Sequence, residues 1–359
     1  MGAKETAILN DVLISQDKSA SRVTFASVMA DGVDTFPYYE SKLGSTYYVE
    51  SMPSPYNVEV GGVTIEDTTL PFTPTNGGDM WAQDPDNLNM IYVIKTSTTE
   101  FYSYNIVTKQ WTLLKVTPSI IYSTQIVISG GKILLLTYHN GTAHIVNAPL
   151  EYTIIGDSWA TLTAPTGTPP TLLEYYGIVL DSGNSDKAYV FRSLSLDIWE
   201  YTISTHSYTV LPTLGVTNNH FRSLHKNGIL YFMQSGTGLF GYDTTTNETT
   251  AISASYTTNS NYTAKLFEVG DTIWYESTNT VTPIVVNTVT GIKQYAYLGS
   301  SYVTGTNSMT NNVFEYNGFL YSFSPYNVFD PVLGHVATPK TVLKIDLSVP
   351  HFYNLHKEQ

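Results

Sequence analysis

The chain has 359 residues, 42% of them hydrophobic, enough to bury a large core and to exclude a disordered chain. Only 13% are charged, and the net charge of −13, with arginine only at Arg22, Arg192 and Arg222, argues against a nucleic-acid backbone as partner. Cys is absent and no run of about eighteen apolar residues occurs, so neither a disulfide framework nor a membrane-spanning helix is expected.

Two features of the chain point to different compartments. A composition rich in Ser, Thr, Asn and Tyr and poor in charge is that of an extracellular protein, yet Met-Gly-Ala-Lys-Glu-Thr leads into no apolar secretory h-region. A chain made in a cytoplasm and used outside a cell, as a component of a virus particle is, satisfies both. The expected location is therefore the virion, with an extracellular protein as the alternative.

Residues 1–30 are expected as an N-terminal arm, with the apolar positions Ala7, Ile8, Leu9, Val12, Leu13 and Ile14 and with residues 23–28 as an outer strand that closes the fold. Residues 31–359 are expected as a single domain. Their apolar stretches are short, rich in Val, Ile, Thr, Tyr and Phe, and bounded by Gly, Asn or Asp, which is strand punctuation. A turn followed by a short strand with a large anchor recurs seven times, as in Asn227-Gly228-Ile229-Leu230-Tyr231 and Asn317-Gly318-Phe319-Leu320-Tyr321. The anchors are Tyr48, Tyr92, Leu135, Tyr189, Tyr231, Trp274 and Tyr321, at separations of 44, 43, 54, 42, 43 and 47 residues. A second marker follows each anchor: an apolar residue, then Asn, Asp or a polar stand-in, then a Thr-rich turn. Examples are Tyr104-Asn105 before Trp111, Val146-Asn147 before Trp159, Tyr201-Thr202 before Tyr208 and Tyr242-Asp243 before Thr249. The Asn or Asp is expected to bond its own backbone two residues on and so to set the turn.

Four strands at a period in the forties predict an all-β fold, a β-propeller of four-stranded blades. The blades are expected at 34–66, 77–115, 122–163, 174–212, 220–254, 262–298 and 311–356, seven in all, with six as the alternative if the first fails. The segment from Phe101 to Leu114, with its Tyr-Asn, turn and Trp-x-x-Leu, resembles the second half of a Kelch repeat, although the Gly-Gly after the second strand of that repeat is missing. The resemblance implies a Kelch-like propeller over about residues 34–356. Some Kelch-like propellers are copper oxidases with a linked Tyr–Cys pair, and the absence of Cys excludes that chemistry.

Catalytic and metal motifs are missing. The histidines, at 139, 144, 206, 220, 225, 335, 351 and 356, form no helical pair and no His-Glu-x-x-His, so they are expected to be structural, and no metal or cofactor is expected. Asp84-Pro85-Asp86-Asn87 has the oxygen ligands of a calcium loop without its later Gly and Glu, and reads as a turn. Gly-x-Ser-x-Gly and sialidase-type boxes do not occur. The expected function is a non-enzymatic interaction scaffold, a structural component of a bacteriophage particle that docks other proteins of the assembly, copies of itself included. The alternative is a glycan-binding or glycan-active extracellular propeller whose aromatic loops stack on sugars. Two contact patches are expected: Ile8, Leu9, Val12, Leu13 and Ile14 of the arm, and Tyr326, Phe329 and Leu333 of the long loop 325–339 in the last blade. Residues 148–157 are expected as a shorter insertion of the same kind.

Overall fold

The turns lie where the sequence supplies residues that tolerate a positive φ. Asn227 and Asn317, each at φ 51°, open the tight turns between first and second strands. Lys109, Asp157, His206 and Asn247, at φ 58°, 42°, 48° and 61°, each end the turn between a third and a fourth strand. In three such turns the preceding Asn or Asp caps the backbone as expected. Asn105 Oδ1 accepts from Val107 N at 2.9 Å, Asp243 Oδ1 from Thr245 N at 2.7 Å, and Asn287 Oδ1 from Val289 N at 2.9 Å. Thr202 lacks that carboxylate, and Asp186 of the neighbouring turn replaces it, accepting from Ser204 N at 2.7 Å.

The computed structural model describes residues 4–9, 12–17, 22–25, 39–40, 46–49, 56–59, 63–67, 69–73, 79–121, 125–136, 138–139, 144–145, 148–170, 176–192, 195–216, 223–234, 238–252, 265–276, 284–289, 293–297, 313–324, 328–330, 334–336, 341–346 and 354–357. These residues are all-β, with no helix, and their sheets are arranged as a β-propeller. Among them, six sheets of four or five strands follow one another. The first runs Met80–Gln83, Met90–Ile94, Phe101–Asn105, Gln110–Leu113, and the second Val127–Ser129, Lys132–Leu135, Leu150–Thr153, Ser158–Thr161. The third comprises Tyr176–Leu180, Lys187–Arg192, Ile198–Thr202 and Ser207–Val210, and the fourth Leu224–Lys226, Ile229–Gln234, Gly238–Asp243 and Thr249–Ala251. The fifth contains Lys265–Val269, Thr272–Glu276, Ile284–Asn287 and Lys293–Tyr297. The sixth contains Val313–Tyr316, Phe319–Ser324, Thr341–Asp346 and Val63–Asp67.

The first strands of successive sheets lie side by side from the first sheet to the sixth. The ring closes between sixth and first, where Gln83 Nε2 donates to Glu315 O at 2.9 Å and the rings of Trp81 and Phe323 are 4.9 Å apart. Each sheet offers one face to the sheet before it and one to the sheet after it, because alternate residues of a strand point to opposite sides. Tyr92 packs with Ile133 and Leu135 of the second sheet, Tyr189 with Leu230 and Phe232 of the fourth, and Tyr231 with Ile273 and Val286 of the fifth. The anchors therefore fill the space between sheets, as their spacing predicts.

Several expectations are corrected by the pairing. Residues 34–66 form no sheet of their own. Thr46–Val49 pairs with Asn354–Lys357, Tyr56–Glu59 runs parallel to the outer strand of the fifth sheet, and Val63–Asp67 is the outer strand of the sixth. Closure therefore comes from residues 63–67 instead of 23–28, and 354–357 is no fourth strand of the last blade. Without Val63–Asp67 the sixth sheet would end on an unpaired edge. In the second sheet the anchor is Leu134 instead of Leu135: Leu134 belongs to the core shared with the third sheet, whereas Leu135 packs back on the first. The marker there is Tyr152-Thr153 instead of Val146-Asn147, since Tyr152 stands opposite Ile133 as Tyr104 stands opposite Ile91. Finally, residues 148–157 are no insertion: Leu150–Thr153 is a regular third strand and the following residues are its turn.

The third sheet gains a fifth strand, Thr166–Gly167, parallel to Ser207–Val210. Gly167, at φ +83°, allows this close approach, because a Cβ there would lie 2.1 Å from Tyr208 O. Residues from both termini make a further sheet in the order Lys4–Leu9, Val12–Asp17, Arg22–Phe25, Asn354–Lys357, Thr46–Val49, Tyr39–Glu40.

Candidate functional site

Antiparallel order gives the ring two unlike ends. The connections between first and second strands, and between third and fourth, lie at one end; those between second and third strands, and from sheet to sheet, lie at the other.

The first end is occupied by bonds that hold the sheets to one another. Ser129 Oγ donates to Ser185 O at 2.6 Å, joining second and third sheets. Lys226 Nζ donates to Glu268 Oε1 at 2.6 Å and to Gly270 O, joining fourth and fifth. Asp84 caps its turn by accepting from Asp86 N at 3.0 Å, so the sequence Asp84-Pro85-Asp86-Asn87 is the plain turn expected of it. The turn from Asp181 to Lys187 repeats the same backbone bonds. In the third–fourth turns a buried tyrosine reaches the residue of positive φ: Tyr152 donates to Asp157 Oδ1 and Tyr242 to Asn247 Oδ1, both at 2.7 Å, and Tyr201 bonds His206 Nδ1 at 2.9 Å. The Tyr152 bond is the main cause that lowers Asp157 below the usual carboxylate range.

His225 is a deeply enclosed titratable group of this end. It is 3% exposed, its ring lies 5.1 Å from that of Tyr189, and its Nδ1 accepts from Ser182 N at 2.9 Å with Asp181 Oδ1 at 3.4 Å. Its proton therefore sits on Nε2, which has no partner among the described residues. Burial pushes His225 below its ordinary value, against an opposing pull from Asp181. The unfolded chain thus takes up this proton at a higher pH than the folded one. Stability from this group is complete above the ordinary histidine value of about 6.5 and is lost as pH falls below it toward the folded value. Urea midpoints measured across that window should fall with acidification in the parent and flatten in His225→Gln; an equally steep fall in the variant would assign the effect to other groups.

The opposite end carries additions to the four-stranded repeat. Between second and third strands of the second sheet stands a hairpin, Tyr138–His139 with His144–Ile145, and in the sixth sheet another, Val328–Asp330 with Gly334–Val336. The sixth and second sheets flank the first, so both hairpins stand on neighbours of one sheet at one end of the ring. The first hairpin accounts for the 54-residue step between anchors. The spacing was one sign of it, and the dipeptide Asn140-Gly141 between two β-prone dipeptides was a second signal in the sequence.

The expected contact residues fall in two places. Ile8 and Leu9 stand opposite Leu13 and Val12, and Ala7 opposite Ile14, in a hairpin of the terminal sheet. Phe329 stands opposite His335 in the hairpin of the sixth sheet, while Tyr326 and Leu333 lie outside the described residues. Lys4–Leu9 is an edge strand of its sheet. Among the described residues no group of three or more His, Cys, Asp or Glu is placed to hold a metal, and no helix is long and apolar enough to cross a membrane. Compared with protein-family models and with curated proteins, the chain matches none.

Proposed function

We propose that this propeller is a non-enzymatic interaction scaffold in a virus particle, in particular that of a bacteriophage, where it docks other proteins of the assembly or further copies of itself. The observation that carries the reading is the pair of hairpins added at the end of the ring opposite the tight turns, on the two sheets that flank the first. Support also comes from the charge-poor, Tyr-, Ser-, Thr- and Asn-rich composition without Cys, suited to a protein that works outside a cell. A distant Kelch-like ancestry fits the first sheet, where Tyr104 and Trp111 stand opposite each other as the Tyr and Trp of that motif would.

The hairpin 4–17 supports a second contact. Its register places apolar positions on both faces, and we take one of these faces as the contact for another molecule. Deleting residues 1–20 removes two strands that pair with each other and with Arg22–Phe25. The deleted chain is expected to melt as the parent does, and a second variant with residues 326–339 replaced by a short turn should do likewise. Each should lose incorporation into the assembly. Full incorporation by both, or saturable sugar binding by the parent on a glycan array, would overturn the scaffold reading.

A further inference from the structure

At the end of the tight turns, the residue two places after the capping position of each described third–fourth turn is exposed. In the third and fourth sheets it is Ser204 and Thr245, polar residues of the kind a solvated turn favours. In the first, second and fifth sheets it is aliphatic instead: Val107 is 59% exposed, Ile155 98% and Val289 70%. Packing within the ring does not call for this. The residue before the tip already faces inward, as Ile106 does at 2% exposure and Ile154 and Ile203 do in part. Leu88, half exposed in the first turn of the first sheet, adds a fourth aliphatic side chain at the same end. We propose that this end of the ring is a contact between two copies of the chain, in which the aliphatic tips of one copy meet those of the other about a two-fold axis.

The arrangement selects a second copy as the occupant. The aliphatic tips follow the arc that runs from the fifth sheet through the sixth and first to the second, a span that a single docked loop does not cover. The occupant must be flat and as broad as the ring, and the same end of another copy is both. An aliphatic surface is also self-complementary, as a two-fold contact demands of a patch that meets itself. Four such side chains offer roughly 250–500 Å² of apolar surface, against about 800 Å² that each partner gives to a standard interface. The exposed residues beside them, such as Thr108 and Gly156, must therefore enter the contact too, which end-on pairing of whole rings provides. A net charge of −13 on each copy opposes the approach, so the association should tighten as salt screens it, where a contact made by ion pairs would loosen. The same charge disfavours an anionic lipid surface as the occupant. The inference concerns the end of the ring away from the hairpins and stands if the scaffold reading fails.

The test is sedimentation equilibrium of the full chain at about 1–100 µM, in about 0.05 M and about 0.5 M NaCl. A monomer–dimer equilibrium that tightens at the higher salt is expected. Threonine is what the fourth sheet carries at this position, so Val107→Thr, Ile155→Thr and Val289→Thr should each keep the melting temperature of the parent. Each should weaken the dimer about tenfold, and the triple variant about a hundredfold or more. Val210→Thr, at an exposed aliphatic residue on the outer strand of the third sheet, should leave the dimer unchanged. A monomeric parent that instead floats with phosphatidylcholine vesicles would put a lipid surface in the place of the second copy. The proposal is overturned by that result, by a parent that is monomeric throughout, by a triple variant that dimerises as the parent does, or by a dimer that salt weakens.

Discussion

Replacing Tyr231 by Ala should lower the unfolding free energy by about 3–5 kcal/mol, the cost of emptying a large aromatic site in a core that cannot collapse around it. Tyr231 is 4% exposed and packs with Leu239, Ile273 and Val286, so its ring holds the fourth sheet to the fifth. Trp274, 3% exposed and donating from Nε1 to Thr272 Oγ1 at 2.9 Å, occupies the equivalent position in the fifth sheet and should show a loss of the same size. Urea unfolding checks both. A loss below about 1 kcal/mol at either site would place that anchor outside the intersheet core.

A larger effect is expected from removing the closing strand. Val63–Asp67 pairs with Thr341–Asp346, Glu66 meets Lys109 of the first sheet at 3.1 Å, and Leu70 and Phe72 cover the aromatic residues of the seam. The ion pair itself contributes little, because Lys109 is half exposed. The weight rests on the apolar contacts: Leu70 is buried with Tyr104, Tyr321 and Phe323. A chain that begins at residue 74 leaves the sixth sheet with three strands and exposes that cluster. The loss should be comparable to the ~5–15 kcal/mol that holds an ordinary domain together. Differential scanning calorimetry should show no single cooperative transition for it, whereas a chain that begins at residue 21 should keep the transition of the parent. A cooperative transition at the parent temperature in the shorter chain would mean that the ring closes without this strand.

The seam also differs from the boundary between first and second sheets in its polar groups. Tyr152 and Trp159 of the second sheet are both satisfied, by Asp157 and by Lys115 O at 2.8 Å. Their counterpart Trp111 has an indole nitrogen without a partner among the described residues, and the Tyr104 hydroxyl meets the Asp67 carboxyl instead of a turn residue. The difference arises because the residue of positive φ after Tyr104 is Lys109, which has no acceptor to offer.

Strand identity, turn positions and the aromatic anchors were legible in the sequence because they are local. Alternation selects which residues face a neighbouring sheet, and Asn-Gly or Asn-Thr dipeptides supply backbone geometry that few other residues adopt. Tyr92, Tyr189, Tyr231, Trp274 and Tyr321 were found by the recurring turn and strand pattern, and all are buried. What the sequence could not decide was the partner of a strand whose partner is distant in the chain. Val63–Asp67 looks like any short strand; its place in the sixth sheet depends on which edge lacks a partner when the ring has formed, some 280 residues later. The same holds for Thr46–Val49 and Asn354–Lys357, paired across nearly the whole chain. The hairpin at residues 138–145 was hidden for a different reason: two-residue strands carry too short a pattern to be recognised, so only the folded ladder sets His139 opposite His144. Local propensity thus determined which segments are strands, and tertiary closure decided which of them pair.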